Sequence, residues 1–221
     1  CWCSPARAER RISLWVSHPA GRFRDVLLPT SCPGCRRVGQ APCRRCIAQL
    51  RPAPDGWPVP GLDTLVALIS YEGVGATLVR RLKFDNHRDA LGPLAASLAE
   101  LVGSVAGGSH GFDGVTWVPT TRARRRARGF DQAELIARAV ADDIGVRCRS
   151  VLRREGSDHQ VGHGRMDRLH GPTIGWRSQS PGCWLLVDDV VTTGASMRAA
   201  AAALRGAGAS SVFGAALART P

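Results

Sequence analysis

Lysine is nearly missing from this chain. Lys83 is its single ammonium side chain, within a Lys+Arg total of 30 set against 18 Asp+Glu, a formal charge of +12. Such a balance ordinarily points to nucleic acid or another polyanion. The arginine skew, together with abundant Ala and Gly, weakens that inference, because a GC-rich genome imposes the same composition through codon bias. Aromatic residues are scarce as well, at 5%, and do not interleave with the basic cluster at 122–128, so no base-stacking platform is indicated. No apolar run approaches the ~20 residues that a membrane-spanning helix needs. Residues 5–11 are charged and no useful apolar stretch follows, which argues against a secretory leader. Internal repeats and low-complexity tails are absent. The chain begins at Cys1 rather than Met, and a natural start upstream is expected. What remains is a length of 221 residues with 44% apolar and 22% charged content, enough for one well-buried core plus a small appendage. A cytoplasmic location is the expectation.

The most informative stretch is 184–196, Trp-Leu-Leu-Val-Asp-Asp-Val-Val-Thr-Thr-Gly-Ala-Ser. The apolar run Trp184–Val187 shows no alternation and reads as a buried parallel strand. It is expected to end in two adjacent carboxylates, Asp188 and Asp189. The turn Thr192-Thr193-Gly194-Ala195-Ser196 then opens an alanine-rich helix from about Ser196 to Arg205. Small hydroxyl residues and a glycine let backbone N–H groups converge on an anion, and the helix N-terminus adds partial positive charge. Carboxylates beside such a nest suit sugar hydroxyls or a hydrated magnesium ion. A ligand carrying a ribose and a phosphate on its 5-carbon fits both halves.

The segment Val187–Ser196 resembles the phosphoribosyl pyrophosphate (PRPP) signature of type I phosphoribosyltransferases. The resemblance implies that Asp188 and Asp189 hold the ribose hydroxyls. It assigns the 5-phosphate to Thr192, Thr193, Gly194, Ala195 and Ser196.

Cysteines divide the chain. Cys32-Pro-Gly-Cys35 and Cys43-Arg-Arg-Cys46 form a paired Cys-x2-Cys arrangement. Two knuckles present four thiolates, a tetrahedral zinc shell with no position left open, so the expected role is structural. Pro33 and Gly34 supply the turn chemistry. Two disulfides are the alternative, but they suit an oxidising compartment for which nothing else argues. Cys1, Cys3, Cys148 and Cys183 show no pairing pattern. A zinc module is expected over residues 25–55, with the proline-rich stretch 51–60 as linker and a second domain over 61–221.

Past the linker, strand and helix patterns alternate: strand Thr64–Ser70, helix Val74–Lys83, helix Ala90–Val105, strand Gly114–Val118, helix Asp131–Ile144 and strand Ser210–Leu217. Such alternation predicts an α/β fold, a parallel sheet flanked by helices with ligands beyond the carboxyl ends of its strands. The segment after Val118 lies at such an end. Pro119-Thr120-Thr121-Arg122 leads into five arginines within residues 122–128, read as a loop whose guanidinium forks suit a diphosphate. Arg128, just before Gly129-Phe130, is the foremost candidate.

Taken in order, the four-cysteine knuckle, Leu82-Lys83-Phe84, Val118-Pro119, Arg128-Gly129-Phe130-Asp131-Gln132-Ala133 and the Asp-Asp turn are similar to the ComF family over about residues 30–218. That family joins a zinc finger to a type I phosphoribosyltransferase-like domain. The resemblance implies a functional Lys83 reaching toward diphosphate or ribose, and a pyrophosphate loop at Pro119, Thr120, Thr121 and Arg122. It also implies a flexible loop carrying Gln160 and Arg168. The chain departs from the family at Asp131, where asparagine is usual, and at His163 and Gly171 in the flexible loop. His159, His163 and His170 in that stretch are read as exposed loop residues, with a second metal site as the alternative.

The implied chemistry is transfer of the phosphoribosyl group of PRPP to an unidentified nitrogen nucleophile. Magnesium would accompany PRPP, the arginines would meet the departing pyrophosphate, and loop closure would exclude water. The alternative is a non-catalytic PRPP-sensing or DNA-uptake accessory protein, with single-stranded DNA or the competence helicase machinery as partner. A homodimer is compatible with either. A zinc hydrolase is disfavoured, because four cysteines leave the metal no open position.

Overall fold

A computed structural model describes residues 30–56, 58–84, 90–106, 111–155 and 172–221. The chain runs through α1 (Arg44–Ile47), β1 (Thr64–Ser70), α2 (Gly73–Phe84), α3 (Leu91–Ala106), β2 (Gly114–Trp117), α4 (Arg122–Arg128) and α5 (Gln132–Ile144). It continues through β3 (Leu152–Arg154), β4 (Ile174–Trp176), β5 (Gly182–Val191), α6 (Ala195–Gly206) and β6 (Ala209–Arg219). Four strands form a sheet in the order β1-β6-β5-β2, every neighbour parallel. The α/β class read from the alternation is what the structure has.

Side-chain alternation along the central strands feeds two separate cores. On β5, Leu185 and Val187 join a cluster with Leu78, Val79 and Leu82 of α2 and with α3 and α5. Trp184 and Leu186 face the other way, onto Met197, Ala200 and Leu204 of α6. Both faces are covered, which explains the unbroken apolar run. The helices stop where the sequence supplies a stop: Gly145 takes φ 70° after α5 and Gly129 takes φ 79° after α4.

Two elements differ from the sequence reading. Residues 122–128 are a helix, not a loop. Arginine and alanine are good helix formers, Thr121 caps the first turn by accepting from Arg124 N at 3.2 Å, and Gly129 closes the last. A short antiparallel pair, β3 with β4, went unread because three-residue strands carry too little pattern. The start of the proline-rich stretch, residues 51–53, pairs with the end of β1, where Ser70 N donates to Arg51 O at 2.9 Å and Ala53 N to Leu68 O at 3.4 Å.

Candidate functional site

The site grows from the carboxyl end of β5. The strand does not stop at Val187; it stays in register with β6 through Asp188↔Ala216, Val190↔Ala218 and Val191↔Arg219. Val190 and Val191 are β-branched and extend the ladder. The acidic pair therefore sits within the last turns of a rigid strand instead of opening the turn. Alternation sends Asp189 to the face of Leu185 and Val187, the α2 side, and Asp188 to the opposite face.

On the α2 side, Lys83 Nζ lies 3.0 Å from Asp189 Oδ1, and each side chain is only 16% exposed. The lone lysine and the second carboxylate, expected from separate motifs, thus meet directly. Asp189 N donates to Asp188 Oδ1 at 2.8 Å. Asp188 is held well above the ordinary carboxylate range, first by burial and then by repulsion from Asp189; the donated N–H and Lys83 only partly offset this.

Beyond β5, Thr192 and Thr193 are exposed, Gly194 is buried, and Ala195 and Ser196 are partly buried. Thr193 Oγ1 accepts from Ala195 N at 3.4 Å, and Thr220 Oγ1 donates to Thr192 O at 3.3 Å, fixing the turn against the end of β6. Gly194 caps α6 at φ 74°, and a Cβ there would stand 2.9 Å from Val59 Cγ2. Glycine is needed on both counts. The helix behind it has its N-terminal dipole end at this turn.

The Pro119–Arg122 segment follows β2, whose extension is tied to β5 by Val118 N donating to Val187 O at 2.9 Å. Asp131 holds this segment in place. Its Oδ2 accepts from Thr120 N at 3.0 Å and its Oδ1 from Ala133 N at 3.2 Å, so one carboxylate caps α5 and pins the loop. Burial raises its pKa despite those N–H donors. An asparagine in this geometry would place an amide NH2 donor where one of those accepting oxygens stands, opposing one of the two N–H groups. Arg154 of β3, missed by the sequence reading, donates to Pro119 O at 3.3 Å. Burial and Arg124 weaken its hold on its proton, while nearby Asp188 opposes them.

Arg122 opens α4 and Arg128 closes it, with Arg122 exposed and Arg128 partly buried. Gln160 and Arg168, with His159, His163 and His170, lie outside the described residues.

The cysteine cluster is a second, separate centre. Cys32, Cys35, Cys43 and Cys46 place their sulfurs within 4.8 Å of one another, and all four are free thiols. Four sulfurs 2.3 Å from one ion stand about 3.8 Å apart, so the set fits a tetrahedral metal such as zinc. Cys32 Sγ accepts from Gly34 N and Cys43 N, each at 3.3 Å. Burial opposes its ionisation, but donated N–H groups from Cys43, Cys35 and Gly34 bring its thiol down to about 6. Cys46 is driven up by burial and by the neighbouring sulfurs. A cation is what four such sulfurs require to ionise together. Among the described residues this is the only such cluster; the acidic pair gathers no third ligand.

Fold and geometry define an α/β protein with a parallel sheet, an acidic strand end running into a Thr-Thr-Gly turn, and a four-cysteine cluster near the N-terminus. No family model matches the chain. Its curated relatives include the DNA utilization protein YhgH of Salmonella typhi and that of Salmonella typhimurium. Each is 29% identical over 227 aligned residues, spanning 96% of this chain and 93% of the relative. Similar solved structures include the glutamine PRPP amidotransferase of B. subtilis complexed with ADP and GMP, at 20% identity and TM-score 0.42. That likeness covers 59% of this chain and 26% of the amidotransferase, so the chain spans about a quarter of that enzyme. A hypothetical protein of Neisseria gonorrhoeae with bound ppGpp is similar at 16% identity and TM-score 0.40, over 59% of this chain and 68% of its own. No helix among the described residues is long and apolar enough to cross a membrane.

Proposed function

We propose that this protein binds PRPP and transfers its phosphoribosyl group, as a ComF-like phosphoribosyltransferase. The supporting observation is the meeting of Lys83 with Asp189 at 3.0 Å, at the end of the strand that runs into Thr192–Ser196. The ammonium keeps a repelling carboxylate pair together until a ligand arrives. The N–H groups and hydroxyls of Thr192, Thr193, Gly194, Ala195 and Ser196 take the 5-phosphate. Asp188 and Asp189 accept from the ribose hydroxyls, freeing Lys83 to turn toward the diphosphate. Arg122, Arg128 and Arg154, beside the segment pinned by Asp131, meet the departing charge. The bond from C1 to the pyrophosphate oxygen breaks and its electron pair leaves with pyrophosphate. The nitrogen of an acceptor base or amine gives its lone pair to C1 and loses a proton. Magnesium, if bound with PRPP, would screen the diphosphate oxygens and would be held largely by phosphate and water, in keeping with an acidic pair that gathers no third ligand among the described residues.

In this reading residues 61–221 form the transferase domain and 25–55 a zinc module, with Cys32, Cys35, Cys43 and Cys46 as structural ligands. A charged phosphorylated substrate accords with a cytoplasmic location. Pyrophosphate release from PRPP, assayed with panels of amines and nucleobases, tests it. Release above background that disappears in Asp188→Ala/Asp189→Ala supports the reading, and equal release by that variant refutes it.

A second reading is favoured by the curated relatives' name and by exposed Arg122, Arg124, Arg125 and Arg126 of α4: an accessory protein in DNA use that keeps the fold for binding. Tight single-stranded DNA binding, with a salt slope unchanged in the same double variant, would distinguish it.

A further inference from the structure

The two centres are joined by one helix. Arg81 Nη1 donates to Pro33 O and to Gly34 O, 2.9 Å each, so α2 grips the first knuckle by its turn carbonyls. Lys83, two residues on, meets Asp189. At 3.6 residues per turn, side chains two apart project about 200° from one another, so Arg81 and Lys83 leave opposite sides of α2. Between them Leu78, Val79 and Leu82 are buried, and the helix is held as a unit. The knuckle fits closely at that point. A Cβ on Gly34 would lie 2.5 Å from Cys46 Sγ and 3.4 Å from Val74 Cγ1, so the turn is wedged between the sulfur cluster and α2.

We propose that Arg81 is a positioning residue, fastening α2 to the Pro33–Gly34 carbonyls so that the cysteine centre sets where Lys83 meets Asp189. The part of this concerning ligand affinity rests on the PRPP reading; the part concerning the ion pair does not. Metal in the knuckle fixes the direction of the two carbonyls, the carbonyls fix Arg81, and the rigid helix carries that constraint to the ammonium. The cysteine module thereby acts on the ligand site without contributing a group to it.

Lys83 is the single lysine, so lysine labelled with 13C and 15N gives one side-chain signal from the full chain. Asp189→Asn supplies the reference position for a broken pair. In Arg81→Met, and in wild-type protein stripped of zinc by a chelator, the signal should move toward that reference. In Arg80→Met, whose guanidinium donates to Ala76 O on its own helix, it should stay. If Arg81→Met does not fold, Arg81→Gln, which keeps an N–H donor on a shorter arm, is read the same way. PRPP affinity should fall about tenfold in Arg81→Met and show no further fall when Lys83→Met is already present, the non-additivity of residues acting through one another. A Lys83 signal unmoved by Arg81→Met and by zinc removal overturns the proposal, whether or not PRPP binds. Independent, additive losses in the double variant overturn it equally.

Discussion

The four-cysteine knuckle and the acidic strand end are both clusters of like-charged ligands, and they solve the same repulsion differently. In the knuckle, four sulfurs within 4.8 Å converge on one point and admit a four-coordinate cation with no position left over. At the strand end, two carboxylates with no third ligand among the described residues meet a protein ammonium, 3.0 Å from Asp189. The first arrangement is closed and suits a permanent structural metal. In the proposed function the second is reversible, because a lysine on a flexible stem gives way to a ligand that brings its own hydroxyls. Closure and openness, more than residue type, separate the structural centre from the candidate working one.

The comparison breaks most visibly at the knuckle. Cys46→Ser should remove bound metal and unfold the module around it, since the free energy of structural zinc sites is folding free energy. Metal analysis and thermal melting check this, and retention of one zinc per chain would contradict it.

Next comes the charge on Asp188. Its raised pKa means that the folded state holds its proton longer than the unfolded chain does. Stability should therefore fall as pH rises from the ordinary carboxylate value of 3.8 toward the raised one, and the loss persists above it. Asp188→Asn keeps an Oδ1 acceptor for Asp189 N while deleting the charge. The variant should melt higher than wild type at pH 8, with a flatter pH profile, and bind PRPP at least a hundredfold more weakly.

Lys83→Met should cost about 1–3 kcal/mol of stability by leaving a partly buried carboxylate without its partner, read by denaturant titration. Gly194→Ala, forced to φ 74° and against Val59, should cost about 1–2 kcal/mol and weaken phosphate-dependent binding. By contrast Arg138→Ala, which breaks the exposed pair to Glu134, should change stability by less than about 1 kcal/mol.

Much of this was legible in the residues. The strands and helices that bury long apolar stretches stand close to their expected places; β1 spans Thr64–Ser70 as read. The cysteine spacing announced the cluster. The helix at 122–128 carries its signals in sequence, Thr121 before and Gly129 after, but an arginine run reads as a charged loop as readily as it reads as helix propensity. The Lys83–Asp189 pair could not be read, since no local spacing links α2 to β5; only the parity of Asp189 along the strand, once the sheet order is known, sends it to the α2 side. Asp131 stands out in the sequence, but its two-handed role depends on Thr120 and Ala133 both presenting N–H groups to it. The grip of Arg81 on Pro33 O and Gly34 O is invisible in sequence, because backbone carbonyls leave no mark there.

The most direct test of the central claim is a calorimetric titration of zinc-loaded protein with PRPP and Mg²⁺, repeated on Asp188→Asn/Asp189→Asn. Saturable heat from the wild type that vanishes in the variant is the predicted result. An absence of heat at millimolar PRPP, or unchanged binding by the variant, would contradict the assignment of the strand end as the ligand site.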